Sequence, residues 1–226
     1  GAPLLESNDF AAVDAAALTG QVIEVVNPAA FGGTIQDVTV TTENLTVITT
    51  APFGVDYTLA AGVVAFTETG PGALGLSGSA FIFGNAAGNL LRSGAGANRI
   101  EGLGGNDTLS GGAGSDQLVG GADDDQLNGG TGNDVLKGGT GNDTYFVDSA
   151  GDVIVEAAGQ GTDDRVAASV SFTLAADDAI ERLSTTSSGG SSAIDLRGNA
   201  LAQAIFGNAG ANVLNDGGFG AADTLT

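Results

Sequence analysis

GLGGNDTLS (102–110), GGAGSDQLV (111–119), GGADDDQLN (120–128), GGTGNDVLK (129–137) and GGTGNDTYF (138–146) follow one another without a break. An Asp stands sixth in each nine-residue unit (Asp107, Asp116, Asp125, Asp134, Asp143). A large apolar residue stands eighth (Leu109, Leu118, Leu127, Leu136, Tyr145). A fixed period of this kind marks a solenoid, in which each unit is one structural step. A flexible glycine-rich linker would share the composition, with Gly at 39 of 226 positions. It would have no reason to keep an apolar residue in phase with an Asp.

The first six residues of each unit predict a tight turn, because glycine tolerates positive φ and lets backbone carbonyls approach closely. The last three predict a short strand whose middle side chain points inward. Two units then make one coil with turns on opposite edges, so turns two units apart stack. This places Asp107, Asp125 and Asp143 on one edge and Asp116 and Asp134 on the other. Stacked carboxylates repel one another unless a cation lies between them. Carboxylate and carbonyl oxygens without a soft donor suit a hard cation, and calcium accepts such an irregular cage more readily than magnesium.

The units resemble the calcium-binding nonapeptide of the repeats-in-toxin (RTX) family, Gly-Gly-x-Gly-x-Asp-x-apolar-x. Three of the five match it at every position. The resemblance implies a parallel β-roll, secretion from a Gram-negative bacterium, and calcium held between stacked turns. It also implies a ligand set: the Asp carboxylates, with carbonyls from the first and third residues of one turn and the second and fourth of the next on that edge. Carried over, one site uses Gly111, Ala113 and Asp116 with Gly130, Gly132 and Asp134. A second uses Gly120, Ala122 and Asp125 with Gly139, Gly141 and Asp143. A third uses Gly102, Gly104 and Asp107 with Gly121, Asp123 and Asp125. Asp123 replaces the fourth-position glycine, which implies either a strained turn or an extra ligand.

The repeats weaken on both sides. Residues 84–101 form two degenerate units with Asn89 and Asn98 at the Asp position and Leu91 and Ile100 at the apolar one. Asn offers a neutral oxygen, so these turns are expected to cap the calcium-bearing roll. Downstream, Asp152 and Ile154 stay in phase without the leading glycines, and Asp152 is a candidate for a fourth site with Asp134.

Before the roll, Val22–Val26, Thr34–Val40, Leu45–Thr50, Val55–Leu59 and Val63–Thr67 read as strands between Gly, Pro and Asn signals. Ala11–Leu18 is ambiguous and admits a helix, and the strand at Val22–Val26 has no evident partner. After the roll, the stretches from Val170, Leu196 and Gly207 echo those from Val55, Leu76 and Gly84, as an internal duplication would. The expected organisation is all-β: a β-rich module (1–83), the roll (84–155), a second β-rich module (156–206) and the start of a second roll or an assembly segment (207–226).

Net charge is −21, from 27 acidic against 6 basic residues. That balance disfavours nucleic acid and anionic membrane surfaces as partners. No apolar run reaches the length of a membrane span. The chain has no Cys and no His, which removes disulfide chemistry, His-based triads and His-ligated zinc. The acid pairs Asp163-Asp164 and Asp177-Asp178 read as solvated turns. No enzyme is expected. The reading that follows is a secreted calcium-binding structural protein, extracellular or at the surface of a Gram-negative cell. Its partners are copies of itself, joined head to tail into a filament or surface layer. The alternative is an RTX domain that governs calcium-dependent folding and secretion of a larger toxin, adhesin or enzyme.

Overall fold

Strands this short cannot stand alone. Each must find its backbone partners one coil away. The computed structural model describes residues 22–25, 37–40, 46–49, 56–59, 65–68, 81–217 and 224–225. In it the chain winds as a parallel β-solenoid, visiting opposite walls in alternation. One wall is an eleven-stranded sheet running from Val22–Val25 to Thr224–Leu225. The other is a seven-stranded sheet from Asp37–Val40 to Val153–Ile154, followed by a separate three-stranded sheet of Phe172–Thr173, Leu196–Arg197 and Leu214–Asn215. The strands pair in parallel throughout both walls.

Within the repeats each strand pairs with the one 18 residues on, so Leu109 lies over Leu127 and Leu118 over Leu136. The eighth-position side chains thereby stack into two inward columns. Leu91, Leu109, Leu127, Tyr145, Val166, Leu183 and Ile205 line the long sheet, and Ile82, Ile100, Leu118, Leu136 and Ile154 line the wall opposite. All are buried in one continuous core. The register tolerates coils of unequal length after the repeats: Tyr145 pairs with Val166, Val166 with Leu183, and Leu183 with Ile205. The described strands of 1–83 thus divide between the two walls that hold the repeats, and those of 156–206 between the long sheet and the three-stranded one.

The strand at Val22–Val25 does have a partner. It pairs in parallel with Thr46–Thr49, Val22 opposite Thr46. A parallel partner lies a whole coil away, so neighbouring sequence does not announce it. The ambiguous segment Ala11–Leu18 falls outside the described residues.

Among the described residues, two non-glycine residues take positive φ, Leu103 (81°) and Asp123 (75°). They occupy the second and fourth turn positions, where intact units carry glycine. Leu103 is 51% exposed, so its side chain gains little from packing while its backbone bears the left-handed cost. Leu103→Gly is therefore expected to raise the stability of the calcium-loaded protein by about 1 kcal/mol. Leu127→Ala, in the fully buried column, is expected to lower it by about 3 kcal/mol. Denaturant titration of both variants measures the contrast.

Candidate metal centre

Each repeat turn delivers its Asp to the edge of the roll with the carboxylate folded in under the backbone. On one edge the column runs Asn89, Asp107, Asp125, Asp143, Asp164. On the other it runs Asn98, Asp116, Asp134, Asp152. A single hydrogen bond repeats along both: the backbone N–H of one member donates to Oδ1 of the next. Asn89 donates to Asp107 at 2.7 Å, Asp107 to Asp125 at 2.8 Å, Asp125 to Asp143 at 2.8 Å and Asp143 to Asp164 at 2.7 Å. Across the roll Asn98 donates to Asp116 at 2.7 Å, Asp116 to Asp134 at 2.8 Å and Asp134 to Asp152 at 3.1 Å.

That bond uses one oxygen of each carboxylate. The other, Oδ2 of Asp107, Asp116, Asp125, Asp134, Asp143 and Asp164, is buried with no hydrogen-bond partner. A buried carboxylate oxygen without a donor is costly, and its regular repetition is the mark of a ligand. The first glycine of each unit keeps the space open: a Cβ on Gly129 would overlap Asp134 Oδ2. The fourth position is equally tight, since a Cβ on Gly132, at φ 143°, would overlap the Gly114 carbonyl.

The carbonyls add further oxygens between the turns. Those of Ala113 and Thr131 accept N–H groups from the preceding coil, Gly96 and Gly114, at 2.7 and 2.8 Å. The Gly129 carbonyl lies against Gly111, also one coil back, whereas the Gly112 and Gly114 carbonyls lie against Gly130 and Gly132, one coil on. The space between the Asp116 and Asp134 turns therefore receives Gly112 and Gly114 from the earlier turn and Gly129 and Thr131 from the later. Around this space the first- and third-position carbonyls belong to the later turn and the second- and fourth-position carbonyls to the earlier. Gly111 and Ala113 face the turn of Asn98. On the other edge, the Gly120 carbonyl lies against Gly102, Leu103 against Gly121, Gly121 against Gly139, and Asp123 against Gly141. Gly104 and Ala122 sit in these same turns, with Ala122 in register with Gly104.

Asp123 is a strained position, and its exposed carboxylate accepts the Gly105 N–H at 3.1 Å. Asp152 completes its column, but its second oxygen accepts the N–H groups of Asp148 and Ser149 in its own turn, both at 3.2 Å. It closes that edge internally.

Among the described residues, three further buried carboxylates were not singled out from the sequence. Asp164, read as part of a solvated pair, is fully buried and extends the first column; only its neighbour Asp163 is exposed, paired with Arg182 at 2.6 Å. Asp178 is likewise buried, accepting the Ala175 N–H at 2.9 Å. Asp164 and Val166 keep the sixth-to-eighth spacing of a repeat, displaced three residues out of phase, and that displacement hid them. Glu156, also buried, accepts a hydrogen bond from the Tyr145 hydroxyl. Nothing in the motif points to it.

Burial pushes the carboxyls of Asp107 and Asp125 up to about 7 and that of Asp116 up to about 6, with neighbouring carboxylates adding to the shift and the inter-coil N–H opposing it. Glu156 rises to about 7 and Asp164 to about 6, again chiefly through burial. Asp134 and Asp143 move the same way for the same reason.

The family model for the RTX calcium-binding nonapeptide repeat, a model of four copies, matches residues 83–118 and again 119–154. Residues 83–154 are an RTX repeat array. Such repeats bind calcium, and the donorless oxygens of Asp107, Asp116, Asp125, Asp134 and Asp143 fit that ion, being hard, anionic and already placed between turns. No curated protein and no solved structure matches the chain. An RTX β-roll is a structural, calcium-binding fold.

Two outcomes are expected. These carboxyls titrate near 3.8 when unfolded and higher when folded, so without calcium their protonation favours the fold. That contribution is complete below about pH 4 and is lost as pH rises through about 6 to 7. Chelator-treated protein should retain more β signal at pH 5 than at pH 8. Saturating calcium should reverse the order, because protons compete with the ion. Secondly, Asp116→Ala and Asp134→Ala should each lower calcium stoichiometry in equilibrium dialysis, whereas Asn89→Ala and Asn98→Ala should leave it unchanged.

Proposed function

We propose that this chain is an exported structural protein whose roll forms when calcium reaches it outside the cell, and which then assembles with copies of itself. The observation that carries the first part is the row of buried carboxylate oxygens with no donor. As anions they oppose the calcium-free fold, and an ion between turns converts the same oxygens into the strongest contacts of the coil. Binding and folding are then one event. RTX proteins are typically secreted by Gram-negative bacteria, and calcium is scarce in the cytosol and abundant outside, so the chain would travel unfolded and fold on arrival.

Assembly into a head-to-tail filament or surface layer is supported by the polarity of the coil. In a parallel stack the two faces of any coil are unlike, so a contact between them repeats in one direction and builds an open array. Exposed Leu201, Phe206 and Val213, on the later coils, supply apolar area for such a contact. The alternative, an RTX folding and secretion module of a larger toxin, adhesin or enzyme, shares the calcium step and lacks the polymer.

Circular dichroism during a calcium titration tests the first part. The β signal should appear with a midpoint of about 10⁻⁴–10⁻³ M, the range of extracellular calcium modules, and an equal signal in chelator would sink it. Sedimentation and negative-stain microscopy of the calcium-loaded chain test the second. Filaments are expected, and a monomer at every calcium concentration would leave the folding-module reading.

A further inference from the structure

Where the repeats end, the coil lengthens. The Asp143 N–H reaches the Asp164 carboxylate across 21 residues, against 18 from Asp125 to Asp143. The lengthened coil carries Glu156 into the interior, 2% exposed. We propose that Asp143, Glu156 and Asp164 form a separate calcium site, which staples the longer coils to the last repeat and is the first site in the chain to fill.

Each of the three carboxylates has one oxygen engaged and one bare. Asp143 Oδ1 holds the Asp125 N–H, Asp164 Oδ1 holds the Asp143 N–H, and Glu156 Oε2 holds the Tyr145 hydroxyl. Asp143 Oδ2, Glu156 Oε1 and Asp164 Oδ2 are buried with no partner. Carboxylate oxygens from the three residues lie within 4.8 Å of one another. Ligands on a common calcium, each about 2.4 Å from it, stand at most about 5 Å apart, so the three carboxylates lie within the span of one such ion's ligand shell. Magnesium, at about 2.1 Å, holds its ligands within about 4.2 Å and demands stricter geometry.

The site differs from those between repeat turns in drawing a third carboxylate from outside the nine-residue motif. Three charges against two favour the cation further, since ligand charge tunes calcium affinity. The nearby Arg182 is paired with exposed Asp163 instead. Tyr145, the one aromatic residue at an eighth position of the array, is part of the construction. Its hydroxyl accepts the Gly138 N–H at 2.8 Å and donates to Glu156 Oε2, which leaves Oε1 as the oxygen without a partner. Glu156 and Asp164 bracket the extra residues, so an ion joining both to Asp143 fixes the loop between them.

Equilibrium dialysis of calcium against the full chain, Glu156→Gln and Asp116→Asn tests this. Glu156→Gln should bind one calcium fewer per chain, the missing ion being the tightest. Asp116→Asn, on the opposite edge, should lose calcium while keeping the tightest ion. Wild-type stoichiometry and affinity in Glu156→Gln overturns the proposal even where Asp116→Asn behaves as expected. If neither variant loses calcium, the repeat sites fail with it. Should Glu156→Gln not fold, terbium decides. The chain has two tyrosines and no Trp, and Tyr145 touches the site. The first equivalent of terbium should emit on tyrosine excitation in the wild type and lose most of that emission in Tyr145→Phe. Equal first-equivalent emission from both places the tightest ion elsewhere and overturns the proposal.

Discussion

A carboxylate has two oxygens, and in this roll the backbone can satisfy only one. The N–H of the preceding coil reaches Oδ1, and the glycine that opens each unit leaves Oδ2 in a space too small for a Cβ and closed to water. Much else follows from that remainder. The turns are glycine-rich because the oxygen needs room. The coils stack at a fixed interval because the N–H donor must meet its acceptor. The protein has distinct calcium-free and calcium-bound energetics because something must complete the coordination of the second oxygen.

The core alone is thin. Each half-coil of the array buries one large side chain, and these stack residue over residue in two columns. A globular domain of this size would draw stability from a broad interior, and an extracellular one often adds disulfides. With no Cys and a one-dimensional core, the charged edges carry the stabilising role. Their sign is conditional, opposing the fold when bare and holding it when bridged.

Much of this was legible in the sequence because the period is rigid. Asp at sixth and Leu at eighth define the coil length, the two edges and the two apolar columns. Asn89 and Asn98 were recognisable as neutral members of the same columns. What the period could not carry was lost wherever it slipped. Three extra residues before Asp164 hid a buried carboxylate that keeps the repeat spacing locally. Glu156 enters the edge from a coil with no motif, so only packing reveals it. The direction of the carbonyls was not legible either, since the order of residues in a turn does not say whether an oxygen points up or down the stack. The pairing of Val22–Val25 with Thr46–Thr49 was invisible for a related reason: parallel partners are a coil apart and share no turn signal.

The two-edged coil also constrains how such an array changes length. Its turns alternate between edges, so removing a single nine-residue unit would carry every later turn to the opposite side of the roll. Asp143 would then sit over Asp116 instead of Asp125, and the closing residues Glu156 and Asp164 would face the edge that Asp152 now seals. Whole repeat units can be gained or lost with the columns intact only in pairs, eighteen residues at a time. The array is therefore counted in whole coils, and its parity is inherited by whatever is built downstream of it.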